Sequence, residues 1–240
     1  VNEYIRPSRC NLVTNRGDAV VGTMCEVGST VGVSPVTNDW TYDLDNKFGF
    51  PGWQAPVQTR GMFGVIPVGP GGIHDGLSNT MGVSEAVVSN GVSDRSIKGG
   101  AAYQENFQWE VPQVCLAVRN GSQIDQGVTP VEFPIRGGAW SAGEPGFTGY
   151  TCSTPPNSPS CVGTMDGSKE GFFPASSNHT GGVNVGIMDG SVTFVSDTVN
   201  CEGRDQRLVG TRDWLNFNKS PHGVWGSLST RNCGESVAIP

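Results

Sequence analysis

Residues Gly182–Ser196 read Gly-Val-Asn-Val-Gly-Ile-Met-Asp-Gly-Ser-Val-Thr-Phe-Val-Ser, and their pattern decides the fold class. Val183, Val185 and Ile187 alternate with Asn184, Gly186 and Met188; after Asp189-Gly190, Val192 and Phe194 alternate with Thr193. A period of two is that of a half-buried strand. Asp-Gly between two such runs is the strongest short-range hairpin signal, because Gly accepts positive φ freely and Asp better than most residues. The stretch therefore predicts a β-hairpin with a two-residue type I′ turn at Asp189-Gly190. A regular register would set Met188 against Ser191, Val185 against Phe194 and Val183 against Ser196, with the apolar face turned to the core.

The rest of the chain agrees with a β-rich class. Among 240 residues there are 35 Gly and 16 Pro, about a fifth of the chain, against roughly 12 % on average. Charged residues make up 15 %. Gly and Pro at this level oppose a helical bundle or coiled coil. Glycine does not recur at every third position, which excludes collagen. Six Trp, 10 Phe and 36 % hydrophobic residues argue against disorder. Short strand signals punctuated by Gly or Pro every 8–12 residues favour layered β structure. Helix signals are poor, with short helices expected at most around Asn79–Val88 and Asp205–Asn216. The span from Gly137 to Gly171 is dominated by Gly, Pro, Ser, Thr and Asn and reads as a long irregular stretch. No linker or fixed-period repeat divides the chain, so residues 1–240 read as one α+β, predominantly β domain with an antiparallel sheet, many loops and little helix.

The net charge is −7, and the 15 Lys and Arg are scattered with no run of three. That argues against a nucleic-acid partner, which needs clustered cations. No segment approaches the roughly 20 apolar residues of a membrane-spanning helix. The sequence starts at Val1, which suggests a processed or trimmed chain, so the lack of a leader does not place it in the cytosol.

Seven cysteines (Cys10, Cys25, Cys115, Cys152, Cys161, Cys201, Cys233) include no C-x-x-C pair. Zinc-ribbon, thioredoxin and haem-attachment readings therefore lack their spacing. Disulfides of an oxidising compartment are the sharper reading. Cys152–Cys161, bracketing a loop with three prolines, is the candidate staple, with Cys10–Cys25 and Cys201–Cys233 as further pairs.

Candidates for chemistry dissolve on inspection. His179 and Asp189 fall at opposite ends of the first hairpin strand, and ten extended residues span roughly 33 Å, so both read as structural. There is no G-x-S-x-G elbow. His74-Asp75-Gly76 reads as a turn at Asp75-Gly76 followed by a Ser or Asn cap. Gly69, Gly71 and Gly72 miss the dinucleotide spacing. Asp43-Leu44-Asp45-Asn46 lacks the Gly and distal Glu of a calcium loop; a structural calcium ion held by scattered loop carboxylates stays open and unlocated. The six Trp include Trp53 and Trp140, placed on loops where aromatic faces could stack on a sugar.

Several blocks resemble a known family. Ser176 to Phe194 carries His179, nine residues, then Asp189-Gly190, the "H, nine residues, DG" signature of the prepilin-like domain of unknown function 1559, abundant in planctomycetes and related bacteria. Val1–Ser8 is similar to its "CPS" segment, with Arg6 where Cys is common. Gly61-Met62-Phe63-Gly64, Ile73–Thr80 and Glu85 resemble its "GxFG … ITDGTSNT … GE" block. Arg136–Trp140 and Pro155–Cys161 match two more blocks, and Gly223–Glu235 resembles the closing "GVWGALGTRNGGE". The blocks keep their order.

The resemblance implies a subunit like the pseudopilins of type II secretion and the pilins of type IV pili. Family members open with a prepilin peptidase site and one long apolar helix, followed by a β-rich head; this chain matches the head only. Implied partners are copies of itself or other pilin-like subunits, with the membrane reached only through that helix, and the implied location is extracytoplasmic. The family carries no established catalytic residues, so none transfers. Cys152, Cys201 and Cys233 depart from its pattern and leave room for bridges particular to this chain. The expectation is a structural filament subunit, not an enzyme, without a cofactor. Two alternatives stay open: a secreted carbohydrate-binding module using Trp53 or Trp140, and a metal-assisted hydrolase in which His74, His179 or His222 meets carboxylates.

Overall fold

The computed structural model describes residues 9–18, 60–63, 68–103, 111–132, 136–141, 143, 145–163, 171–205, 219–235 and 237. In chain order these form β1 (Leu12–Asn15), β2 (Met81–Glu85), β3 (Ala101–Tyr103), α1 (Pro112–Leu116), β4 (Arg119–Asn120), β5 (Gln123–Ile124), β6 (Thr129–Pro130), α2 (Pro145–Thr148), β7 (Gly149–Tyr150), β8 (Ser160–Val162), β9 (Gly171–Phe172), β10 (Gly182–Ile187), β11 (Val192–Ser196) and α3 (Gly223–Ser227). The fold is α+β and predominantly β, with helices of only one turn or so. One sheet has the order β11-β10-β2-β1-β7, a second β6-β3-β8-β9, and β4-β5 form a ribbon. Most neighbours are antiparallel, but β1–β7 and β3–β8 run parallel.

The decisive hairpin forms as β10 and β11, with its turn one residue longer than the sequence suggested. Val183 pairs with Val195, Asn184 with Phe194 and Val185 with Thr193. Ile187 N–H donates to Ser191 O at 2.8 Å and Gly190 N–H to Ile187 O at 3.0 Å, closing a three-residue loop, Met188-Asp189-Gly190. Gly190 alone in it is left-handed, at φ +92°, the usual device of three-residue hairpins. The Asp189 carboxylate fixes this loop by accepting from Ser191 N (2.9 Å) and Ser191 Oγ (2.7 Å). A one-residue slip turns a strand over. Val195, not Phe194, therefore enters the core opposite Val183, and Val192 and Phe194 lie on the outer face.

Two further expectations change. Asn79 ends a 3-10 turn (Leu77–Asn79), and the residues after it form β2, a central strand, rather than a helix. Pairing with β1 on one side and β10 on the other outweighs the local helix tendency. Of the helix expected at Asp205–Asn216, all but Asp205 lies outside the described residues. The stretch after Gly137 is not irregular throughout, since it holds α2, β7 and β8.

Among the described residues three apolar clusters fill the interior. The largest packs Val13, Met81, Tyr150, Val183, Val185, Val195 and Leu228 around Trp225. Trp225 is fully buried, stacks on Tyr150 at 6.4 Å and donates from Nε1 to Thr154 O at 3.0 Å. The second joins Ile97, Cys115, Ile124, Cys161 and Phe172, and the third Ala101, Val131, Val162 and Phe173.

The cluster boundaries explain the disulfide. Cys161 is bonded to Cys115, 46 residues away, and not to Cys152. Cys152 follows β7 into the first cluster, whereas Cys161 lies on β8 in the second. The proline loop between them crosses from one sheet to the other and separates its two ends. Cys201 and Cys233 are also unpaired: Cys201 is buried in the first cluster, and Cys233 takes a hydrogen bond from Arg60 Nη2 at 3.0 Å. Cys10 has a free thiol that donates to Leu12 O at 3.4 Å, and Cys25 lies outside the described residues.

Candidate functional site

The motif residues fall into clasps that join distant segments. Asp75 is buried, and its carboxylate accepts from three successive backbone amides: Cys233 N (2.8 Å), Gly234 N (2.7 Å) and Glu235 N (3.3 Å). The amides of His74 and Asp75 donate in turn to Arg231 O. Gly76 follows at φ +96°, which lets the chain turn away at once. Asn79 Nδ2 donates back to Asp75 O and Thr80 Oγ1 to Gly76 O, bracing the turn. The Asp-Gly-x-x-Asn-Thr run is thus a self-braced turn whose carboxylate holds the loop after α3.

Asn15 makes a second clasp. Its Nδ2 donates to Met81 O (2.7 Å) and Ser229 O (2.8 Å), while its Oδ1 accepts from Gly17 N (2.7 Å). Gly61 packs directly on this corner, where a Cβ on Gly17 would lie 2.6 Å from Gly61 N.

His179 stands beside β10, not in it. Its Nε2 lies 3.1 Å from Glu85 Oε1, and Glu85 also accepts from Asn184 N (3.0 Å) and Asn184 Nδ2 (3.2 Å). Burial raises the Glu85 pKa, but the Asn184 and His179 hydrogen bonds outweigh it, and the net shift is downward. Asp189 is at the far tip of the hairpin with Gly190. His179, Glu85 and Asn184 tie β10 to β2 on the outer face of the sheet.

Three partners escaped the sequence reading. Arg136 is fully buried and donates to Gly149 O (2.7 Å) and Pro174 O (3.0 Å), with its guanidinium 5.8 Å from the Phe173 ring centre. Burial pulls its pKa down to about 10. Asn157, left-handed at φ +57°, donates to Asp197 Oδ1 (2.6 Å) and accepts from Ser177 N (2.9 Å). Asp18 is buried against Arg60 Nε at 3.1 Å. Only the residue types gave a signal, such as Asn in a turn that needs positive φ; pairing needed the fold.

Burial raises the Cys152 and Cys233 thiols and pushes Cys201 up to about 12. A protonated thiol is a poor nucleophile. Burial lowers His222, whose Nδ1 faces Glu202 O at 3.3 Å. His74 Nδ1 is 2.8 Å from Asn232 Oδ1. Among the described residues no three His, Cys, Asp or Glu side chains come together as metal ligands. Asp43–Asn46 and Trp53 lie outside the described residues. Trp140 is 62 % exposed. A groove of about 590 Å³ is lined by Val111, Val114, Val118, Val128, Asp125 and Asp205, away from all the motif residues.

Among the described residues, four large apolar side chains stand exposed on the outer face of the five-stranded sheet, beside the Glu85, Asn184 and His179 cluster. Val192 is 72 % exposed, Leu12 56 %, Phe194 46 % and Val83 38 %. Glycines let these side chains lie flat: a Cβ on Gly182 would sit 2.7 Å from the Phe194 ring, and one on Gly186 2.8 Å from Val83 Cγ2.

The hairpin signature, the Asp-Gly turn and the closing loop are held in place in this manner. The chain belongs to the family described as protein of unknown function (DUF1559), whose family model matches residues 15–202. No curated protein and no solved structure matches the chain.

Proposed function

We propose that this chain is the extracytoplasmic head of a pilin- or pseudopilin-like subunit of a surface or secretion filament, acting by assembly rather than catalysis. One observation carries the reading. Among the described residues, Asp75, Gly76, His179, Asp189 and Gly190 sit in clasps and turns that join segments of the scaffold. Motif residues spent on scaffold suit a protein whose product is a shape. The Cys115–Cys161 bond supports an oxidising compartment. No helix among the described residues is long and apolar enough to cross a membrane, so membrane attachment in this reading falls to a prepilin-type helix ahead of the head. Its partners are other copies or other pilin-like subunits, not nucleic acid, and no cofactor takes part.

The test is the native gene upstream of Val1. A short basic leader, a Gly, a Glu five positions further on and an apolar helix are expected. A gene without a prepilin-type segment overturns the reading. A carbohydrate-binding role has one observation in its favour, the exposed Trp140 ring; a glycan array with no hits removes it.

A further inference from the structure

The hairpin's second strand is a free edge with a symmetrical hydrogen-bonding pattern. β11 ends the sheet, and among the described residues no strand covers its far side. The inward bonds are set by Ile187 N to Ser191 O and by Asp197 N to Gly181 O. Residues 191, 193, 195 and 197 therefore bond toward β10, and Val192, Phe194 and Ser196 point their N–H and C=O outward. Ser196 O already accepts from Val199 N and keeps its second lone pair.

Native edges are guarded by Lys, Pro, bulges or inward charges. Val192-Thr193-Phe194-Val195-Ser196 has none of these residues. Its outward groups belong to Val192, Phe194 and Ser196, whose side chains are also on the outer face of the sheet.

We infer that β11 is a pairing edge for β11 of a second copy, antiparallel about a two-fold axis at Phe194. The pattern is self-complementary. Phe194 meets its own symmetry mate, Val192 meets Ser196, and Ser196 meets Val192, so three outward residues on each copy make a ladder of six bonds. Directly opposed residues share a face. The two Phe194 rings thus become cross-strand neighbours, and Val83, Val192 and Phe194 of both copies form one apolar strip across the joined sheet. Charge permits this partner. The chain carries −7, so two copies repel, yet the strand at the axis is uncharged and Asp197 is turned to Asn157 at 2.6 Å.

The contact covers few side chains, far less than the ~1,200–2,000 Å² of a stable interface. Pairing is therefore weak and concentration-dependent, effective where heads are already crowded. A two-fold contact closes at two copies. It cross-links heads instead of extending a filament, and so goes beyond the proposed function.

Sedimentation equilibrium of the chain from about 10 µM to about 1 mM tests it, with amide hydrogen exchange on the same samples. A monomer–dimer equilibrium is expected, with the Val192, Phe194 and Ser196 amides slowing as concentration rises. Phe194→Lys sets like charges opposite each other and should weaken pairing at least about tenfold. Val92→Lys, on a loop residue 74 % exposed, should leave it unchanged. A single monomer mass to 1 mM overturns the inference. So does a dimer that Phe194→Lys does not weaken, or one in which those three amides exchange at the monomer rate. The exchange reading uses the unaltered chain and does not depend on the variants folding. A monomeric result leaves the filament reading untouched, because that rests on the upstream gene.

Discussion

Replacing Asp75 by Ala tests the claim that this motif carboxylate is scaffold. The side chain accepts from the amides of Cys233, Gly234 and Glu235, two of them buried. An orphaned buried donor costs about 1–3 kcal/mol. Water reaches the part-buried Gly234 amide and lowers its share. The sum is about 3–5 kcal/mol, and at roughly 2–4 °C per kcal/mol for a chain of this size the midpoint should fall by roughly 6–20 °C. Asp75→Asn keeps one acceptor oxygen but turns donors toward donors, and should lose about half as much. Thermal unfolding followed by tryptophan fluorescence reads the loss, and hydrogen exchange locates it, since the Cys233 and Gly234 amides should exchange faster first. His179→Ala is the comparison: its contact with Glu85 is more than half exposed on the His side, and exposed contacts of this kind contribute about 0–1 kcal/mol. If Asp75→Ala unfolds within about 0.5 kcal/mol of the parent, the carboxylate is not a clasp and the scaffold argument fails with it.

Other outcomes follow from the same contacts. Non-reducing peptide mapping should find Cys115 linked to Cys161; opening that 46-residue separation should cost about 2–4 kcal/mol in denaturant unfolding, and a Cys152–Cys161 peptide would contradict the cluster boundary. Glu85 has a lowered folded pKa, so its contribution is complete above the unfolded carboxylate pKa and disappears as pH falls through the lower folded value. Stability profiles of parent and Glu85→Gln should therefore converge at the acid end and separate toward neutrality. Gly190→Ala at φ +92° should cost about 1 kcal/mol, with Gly190→Asn milder; equal stability for all three would place the left-handed residue elsewhere in the loop.

The sequence made local devices readable and long-range pairings invisible. Asp75-Gly76 and Asp189-Gly190 announced turns because backbone sterics act over two or three residues. The hairpin register was missed by one because an Asp carboxylate bonding two residues ahead selected the three-residue loop. Neighbouring cysteines misled, since chain distance does not say which side of a sheet a side chain enters; Cys152 and Cys161 bracket a crossing between two cores. Glu85, Arg136 and Asn157 each find partners on other elements, Asn184 and His179 for the first, Pro174 for the second, Asp197 for the third, and no periodicity encodes such pairs.

The Asn15 side chain bonds Ser229 across 214 residues, and this has a kinetic consequence. β1 sits between β2 and β7, yet one of the bonds that close its corner comes from the turn after α3. No early fragment of the chain contains that contact, so this clasp on the first sheet forms last. Topologies dominated by such distant contacts fold slowly. Completion of that corner waits until the turn after α3 has been made.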